Sequence, residues 1–129
     1  MKGGDSLAVG VQLSYDFAAI LKMYQTPQSI NFARPMLENL GIMAEDAEIF
    51  VSGNEEKREI SLNIKILQDK EIQIGKSRIK LEAGKTISLI VSHKYEIPEM
   101  EKLSEAAKLT IKNKFLNADQ SYAVFLMEK

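Results

Sequence analysis

The sequence contains no cysteine and a single histidine among its 129 residues. Without cysteine the chain forms no disulfide, no thiol nucleophile and no cysteine-based metal site. One histidine likewise excludes a histidine-rich metal centre and a relay of two histidines. No apolar run approaches the ~18 residues of a membrane-spanning helix. These absences leave a globular domain that has no thiol chemistry and few side chains that could bind a transition metal.

The balance of charge excludes a second group of functions. The chain has 17 Lys and Arg residues against 18 Asp and Glu residues, so its formal net charge is −1. Such a balance gives no global attraction to nucleic acid or to an anionic membrane. Hydrophobic residues make up 45% and charged residues 27% of the chain, which is typical of a folded domain.

The N-terminus shows no export signal. The apolar stretch of residues 7–11 is too short for a signal-peptide core, and no clear cleavage site follows it. We therefore expect a cytoplasmic protein. Residues 1–8 are predicted to be a flexible N-terminus, and residues 9–129 a single β-sandwich domain.

Short alternating patterns dominate the chain. Apolar residues recur at every second position between turn residues, which predicts a series of short strands. The clearest is residues 59–66, where Ser61, Asn63 and Lys65 lie on the face predicted to be wet. The candidate strand segments are residues 9–15, 30–41, 47–52, 59–66, 71–75, 78–81, 86–92, 108–116 and 121–127.

Two segments before residue 42 allow a second interpretation. The apolar residues of segment 16–25 have helical spacing, and Pro27 ends that segment. Segment 30–41 is favoured as an edge strand interrupted by Pro35, although a helix that starts near Pro35 fits as well.

The segment after Pro98 also has two interpretations. Its apolar residues fit one long helix to residue 116, and proline is favoured in a first helical turn. We favour a short helix over residues 98–106, followed by a hairpin of 108–116 with 121–127.

These patterns together predict an all-β, immunoglobulin-like antiparallel β-sandwich with a short helix near 98–106. The alternative is an α+β domain, in which an antiparallel sheet packs against helices at 16–25, 35–40 and 98–116.

Residues 81–89, with the sequence LEAGKTISL, are similar to a turn-and-strand segment of immunoglobulin-like and fibronectin-type modules. Residues 11–16, 35–40 and 102–106 supply three further segments in matching order. Together they resemble the immunoglobulin-like domain at the N-terminus of large bacterial helicase-type ATPases. The catalytic residues of those proteins lie in a helicase core, so the resemblance implies an accessory module and not an enzyme. Residues 84–86, Gly-Lys-Thr, keep only the end of a phosphate-binding loop and are predicted to be a plain turn.

The resemblance implies a non-catalytic accessory or interaction module of a larger bacterial ATPase- or helicase-type protein. Such a module docks on neighbouring domains or on a partner protein. No cofactor, no metal and no membrane partner is expected. Two other functions stay open from the residues alone: a stand-alone small α+β enzyme or ligand-binding protein, and a self-assembling structural protein that uses an edge strand.

Lys108, Lys112 and Lys114 are the candidate nucleic-acid-binding residues. In the predicted hairpin they share one strand face, where they could contact a phosphate backbone together with the nearby Lys94 and Lys102. However, no aromatic residues alternate with them for base stacking, and exposed lysines also protect sheet edges.

Two further groups of residues are candidates for chemistry. His93 is predicted to be a strand-end histidine, because no partner for a general base is evident in sequence. The acidic residues Glu45, Asp46 and Glu48 lie beside a turn and lack the spacing of a calcium loop. They are predicted to form a solvated, charged turn.

Overall fold

The computed structural model describes residues 2–13 and 16–129. The chain divides into two compact units. Unit 1 joins the two ends of the chain, Met1–Phe17 and His93–Lys129, and unit 2 is Ala18–Ser92. In chain order the elements are β1 (Ser6–Gln12), α1 (Phe17–Tyr24), α2 (Pro27–Phe32), α3 (Arg34–Asn39), β2 (Ala47–Asn54), β3 (Glu59–Ile66), β4 (Lys70–Ile74), β5 (Ser77–Leu81), β6 (Thr86–His93), α4 (Ile97–Ala106), β7 (Thr110–Leu116) and β8 (Tyr122–Glu128).

Unit 1 is a three-stranded sheet with one helix packed on its inner face. The strand order is β1-β8-β7. Both outer strands are antiparallel to β8, so β1 and β7 run in the same direction. Ala123, Phe125 and Met127 alternate along β8 and are buried, as a strand with one covered face requires. They form a core with Met100 of α4 and Val11 of β1.

Capping residues and a proline explain where helix α4 begins, and a change of backbone direction follows its end. Glu96 and Glu99 form a capping box, and proline occupies the first turn, where its missing N–H is not needed. The chain then reverses at Lys108, which has a φ of 57°. The predicted helix over 98–106 and the hairpin that follows it are therefore confirmed.

Unit 2 contains a sheet of order β2-β3-β6 and a separate β4-β5 pair. Helices α1, α2 and α3 precede β2 in the chain. Strand β2 is antiparallel to β3, with Ala47 opposite Ile66 and Asn54 opposite Glu59. The buried residues of this unit form one cluster: Ala33, Leu37, Ile42, Ala47, Ile49, Leu62, Ile64, Ile66, Ile72 and Leu81.

The predicted edge strand over 30–41 is wrong, because this segment forms helices α2 and α3. The Thr26 hydroxyl accepts a hydrogen bond from the Ser29 backbone N–H at 3.3 Å, and Pro27 stands in the first turn. This is the pattern of a helix start. Ala33 and Leu37, four residues apart, are both buried, which fits helical spacing.

The described sheets are mainly antiparallel and are combined with four helices, in agreement with the α+β alternative. The immunoglobulin-like sandwich is not confirmed. The strand predicted over 9–15 begins earlier, at Ser6, and residues 14 and 15 lie outside the described residues.

One residue of β3 is less exposed than the sequence predicts. Asn63 is buried, although its face was expected to be wet. Its amide donates to the Ser52 hydroxyl at 2.9 Å and accepts from the Ser88 hydroxyl at 2.8 Å. Hydroxyl groups of the two neighbouring strands therefore satisfy its polar atoms.

Candidate functional site

A cavity of about 220 Å³ opens in unit 2 between the helical segment and the β2-β3-β6 sheet. Val51 and Leu62 are directly opposite each other on β2 and β3 and line one wall. The apolar lining residues are Phe32, Val51, Ile60, Leu62 and Ile90.

Three hydroxyl groups reach the same cavity, from Tyr24, Ser29 and Ser92. The Ser29 hydroxyl is 3.0 Å from the hydroxyl of Thr26 and belongs to the cap of α2. The hydroxyls of Tyr24 and Ser92 are 3.4 Å apart. This separation is longer than the usual ~2.5–3.0 Å of an O–H···O hydrogen bond, so the two hydroxyls form at most a weak hydrogen bond with each other.

The charge of the lining residues determines which ligand groups the cavity can accept. None of the eight lining residues carries a charge. An apolar lining with a few placed polar groups is typical of a small-molecule site. Such a lining disfavours charged ligand groups because their desolvation is not compensated. Phe32 is 64% exposed at the cavity, and its ring offers a face for stacking.

The candidate lysines are distributed differently from the prediction. Lys108 precedes β7, and the β7–β8 register shifts between Ile111 and Asn113, so Lys112 lies in a bulge. A bulge breaks the alternation that would have put the lysines on one face.

Two of these lysines have acidic partners. Lys112 lies 3.2 Å from a carboxylate oxygen of Glu128, and Lys114 lies 2.6 Å from one of Glu101. The neighbouring Lys94 is buried, and its ammonium donates to Gln12 at 2.9 Å. Contact between Lys108, Lys112 and Lys114 and a phosphate backbone stays a prediction.

His93 ends β6, as predicted. Its Nε2 lies 3.1 Å from a carboxylate oxygen of Glu99, and its ring meets the ring of Tyr95 edge-on at 4.8 Å. These contacts tie the end of the strand to the first turn of α4.

The acidic turn is less solvated than predicted, because Asp46 is buried with 4% of its surface exposed. Its carboxylate accepts from the Lys70 ammonium, from the Met43 N–H at 2.7 Å and from the Gln68 amide at 2.8 Å. These bonds, that of Lys70 first, lower the pKa of Asp46 to about 2. Within residues 2–13 and 16–129, no group of three or more acidic or histidine side chains is placed to hold a metal ion.

Sequence reasoning missed the residues of the cavity. No sequence motif singled out Tyr24, Phe32 or Ser92 as site residues. Tyr24 and Ser92 are 68 residues apart in the chain, so no local motif joins them. The tail of a phosphate-binding loop at Gly84 is a turn, with a φ of 82°, as predicted.

No helix in the described part of the chain is long and apolar enough to cross a membrane. The cytoplasmic location and the protein partner stay predictions.

Comparison with known families overturns the expected identity. No curated protein matches the chain. The whole of residues 1–129 matches the family described as "Histidine-specific methyltransferase, SAM-dependent". The predicted identity as an immunoglobulin-like accessory domain of helicase-type ATPases is therefore wrong. So are the predictions of a non-catalytic module and of a protein that is not an enzyme, because the matched family is one of enzymes. The chain belongs to the family of histidine-specific, SAM-dependent methyltransferases.

Proposed function

We propose that this chain takes part in SAM-dependent methylation of histidine and that its unit 2 binds the imidazole ring of the substrate. The observation that carries the proposal is the small apolar cavity with the Tyr24 and Ser92 hydroxyls at its wall. The family supplies the substrate class, and the cavity supplies a place that suits its side chain.

The size of the cavity suits one small ring. Its volume of about 220 Å³ is below the ~300–1,000 Å³ typical of sites for drug-sized ligands. The apolar walls contact the faces of the ring, and Phe32 stacks beside it. A planar ring of this size loses its water shell on entry, and apolar burial favours that step.

The two hydroxyls provide the polar recognition. A neutral imidazole has one N–H donor and one nitrogen acceptor, and a hydroxyl can both donate and accept. One hydroxyl of the Tyr24–Ser92 pair accepts from the ring N–H, and the other donates to the second ring nitrogen. An amino acid with an apolar side chain could form neither of these two hydrogen bonds, so it should bind more weakly than histidine.

The uncharged lining also selects the protonation state of the substrate. Burial without a counter-charge disfavours the imidazolium form and lowers the pKa of a bound histidine. A free histidine side chain has a pKa near ~6.5. Affinity should therefore rise between about pH 5.5 and pH 7.5, as the neutral form becomes the main species.

The test is calorimetric titration of the chain with L-histidine, with L-phenylalanine and L-alanine as competitors for the same cavity. Tyr24→Phe and Ser92→Ala should each weaken histidine binding by roughly 2- to 12-fold, the worth of one hydrogen bond. Tyr122→Phe removes a hydroxyl from unit 1 and should leave the affinity unchanged. Equal binding of phenylalanine, or variants that bind histidine as the parent does, would show that the cavity does not recognise imidazole.

The family's other small molecule, SAM, does not fit the residues present. A nucleoside cofactor bound at an open α/β sheet is held by a glycine-containing turn that leads from a strand into a helix. The strand-to-helix connection at residues 94–96 contains no glycine, and the sequence of residues 13–16, which lie between β1 and α1, contains none either.

A concavity of unit 1 has no glycine among its lining residues. It measures about 440 Å³ and is bordered by Glu96 and Asp119. Glu96 is engaged in the capping box of α4, and Asp119 accepts from the N–H and hydroxyl of Ser121. Both carboxylates therefore already stabilise a local turn or helix start of the fold.

A further inference from the structure

The cavity of unit 2 has a third hydroxyl group that the recognition of imidazole by Tyr24 and Ser92 does not use. It belongs to Ser29 of α2, whereas Tyr24 and Ser92 belong to α1 and β6. The ring of histidine has two nitrogens, and the hydroxyls of Tyr24 and Ser92 are assigned to them. The cavity therefore has one more hydrogen-bonding group than an imidazole ring needs.

Thr26 holds the Ser29 hydroxyl in place. The hydroxyl of Thr26 lies 3.0 Å from that of Ser29 and also accepts the Ser29 backbone N–H at 3.3 Å. Thr26 is the N-cap residue of α2, so the start of the helix fixes the position of the Ser29 side chain. A group that is already held in place costs little further ordering when a ligand binds to it.

The Ser29 hydroxyl can form hydrogen bonds beyond the one with Thr26. A hydroxyl has one donor position and two acceptor positions. In the described part of the chain, its partner is Thr26, which occupies one of these three positions. Two positions are left for a polar atom of a ligand inside the cavity.

The uncharged lining adds a second requirement. None of the eight lining residues carries a charge, so the cavity favours a ring that is itself neutral. An imidazole ring takes up a proton below a pH of ~6.5. A third ring nitrogen withdraws electron density from the other two and makes the ring much less basic. A 1,2,4-triazole therefore stays neutral in mildly acidic solution, where imidazole is charged.

From these observations we infer that the cavity also binds five-membered rings with three nitrogens, the 1,2,4-triazoles, and that Ser29 determines this specificity by bonding to the third nitrogen. Thr26 is the positioning residue, because it holds Ser29 and is not among the lining residues. The inference rests on the proposed function in one respect, which is that the cavity holds the ring of the substrate. It adds a class of competing ligands, of which L-1,2,4-triazole-3-alanine is the analogue of histidine.

The first arm of the test compares L-histidine and L-1,2,4-triazole-3-alanine by calorimetric titration. Ser29→Ala keeps the backbone N–H that Thr26 caps. It should weaken triazole binding by roughly 2- to 12-fold, the worth of one hydrogen bond, and change histidine binding by less than about 2-fold. Ser77→Ala removes a hydroxyl from an exposed residue outside the cavity and should change neither affinity. Equal effects of Ser29→Ala on the two ligands, or no effect on the triazole, would overturn the role of Ser29.

A matched pair of variants tests the positioning role of Thr26. Thr26→Val removes the hydroxyl that holds Ser29, and Thr26→Ser keeps it. The quantity measured is the ratio of the two affinities, because a weaker helix cap affects both ligands alike and cancels in the ratio. Thr26→Val should lower the preference for the triazole by roughly 2- to 12-fold, and Thr26→Ser should retain it. A ratio that Thr26→Val leaves unchanged would contradict the positioning role.

The second arm needs no variant and changes the pH of the parent protein instead. Of the eight lining residues, Tyr24 is the one that titrates, and tyrosine ionises only near pH ~10. From pH 7.5 to pH 5.5 the neutral fraction of the histidine side chain falls about 10-fold. Histidine should therefore bind about 10-fold more weakly at pH 5.5, whereas the triazole should keep its affinity. A triazole affinity that falls in parallel with that of histidine would overturn the inference.

The failure of this inference and the failure of the proposed function give different results. If histidine binds and responds to Tyr24→Phe while triazole binding does not respond to Ser29→Ala, the triazole specificity is wrong and the imidazole site stands. If the triazole binds through Ser29 and histidine does not bind, the proposed function is wrong and the triazole site stands. If neither ligand binds, both are wrong.

Discussion

Unit 2 is formed by one continuous segment, Ala18–Ser92, whereas unit 1 joins residues from both ends of the chain. In unit 2 the β2–β3 and β4–β5 pairs link strands that are neighbours in sequence. In unit 1 the first pair joins Ser6 to Glu128. Closing so long a loop costs conformational entropy before any contact is gained. The comparison indicates that unit 2 is specified locally and that unit 1 depends on long-range pairing.

The two units also differ in what they leave open. Unit 2 keeps a cavity with an uncharged lining, which suits a small ligand. In unit 1 the described residues form a sheet in which β1 pairs with β8 and carries no charged side chain. Four sets of variants test how separate the two units are.

The largest effects are expected from the two cores. Phe125→Ala removes a fully buried ring from unit 1 and should cost ~3–5 kcal/mol, while Ile64→Ala removes a buried side chain from unit 2 and should cost ~2–5 kcal/mol. Native-state hydrogen exchange followed by NMR should show that each variant lowers protection mainly in its own unit. An equal loss of protection in both units from either variant would show that the chain unfolds as one cooperative body.

A smaller effect is expected at the buried polar centre of unit 2. Asn63→Ala deletes the group that bonds to Ser52 and Ser88, and the loss should be ~1–3 kcal/mol because the amide is buried and satisfied. Asn113→Ala, on the exposed β7 strand of unit 1, should change the free energy of unfolding by less than about 0.5 kcal/mol. Urea unfolding measures both values, and similar losses would contradict the assignment.

Acid should weaken unit 2 through Asp46. Its pKa is lowered from 3.8 to about 2 in the folded state, first by Lys70. A lowered carboxyl pKa stabilises the fold above the unfolded value and loses that contribution as pH falls through the folded value. The stability advantage over Asp46→Asn should therefore be full above about pH 4 and should disappear towards pH 2.

The control for this experiment is Glu48→Gln, because Glu48 is an exposed carboxylate of the same segment. Thermal melts of both variants between these pH values separate a specific effect from general acid destabilisation. A difference between parent and Asp46→Asn that does not depend on pH would contradict the proposed role of the carboxylate.

The smallest effect is expected from the ion pairs of unit 1. Lys114→Ala breaks a pair with Glu101 whose side chains are 40% and 44% exposed, and such pairs contribute ~0.2–1 kcal/mol. The loss should decrease with added salt, since exposed charges are screened. Urea unfolding at low and high salt measures it. A salt-independent loss would indicate that the stem of Lys114 stabilises the sheet by packing.

Much of the fold could be predicted because its signals are local. The alternation over residues 59–66 predicts β3, and the proline after Ile97 predicts α4. The same rules failed at Pro35, where proline was taken as a strand interruption and is in fact near the start of α3. Proline is compatible with both situations, and the burial of Ala33 and Leu37 decides between them.

The sites were less predictable than the strands. Lys112 and Lys114 alternate in sequence, but a bulge that depends on the pairing partner changes their relation. The sequence around Asp46 is typical of a surface turn. Its hydrogen-bonded partner Lys70 lies 24 residues further along the chain. The alternation of side chains along one strand contains no information about the bulge or about the contact with Lys70.

The sequence by itself determined the short strands, the helix after Glu96 and the absence of thiol chemistry, because each depends on neighbouring residues or on composition. The tertiary structure decided which strands share a sheet and that Tyr24 and Ser92 meet at one cavity. The physical reason is that these features join residues far apart in the chain. Their free energy comes from packing and pairing that exist only once the loops between them have closed.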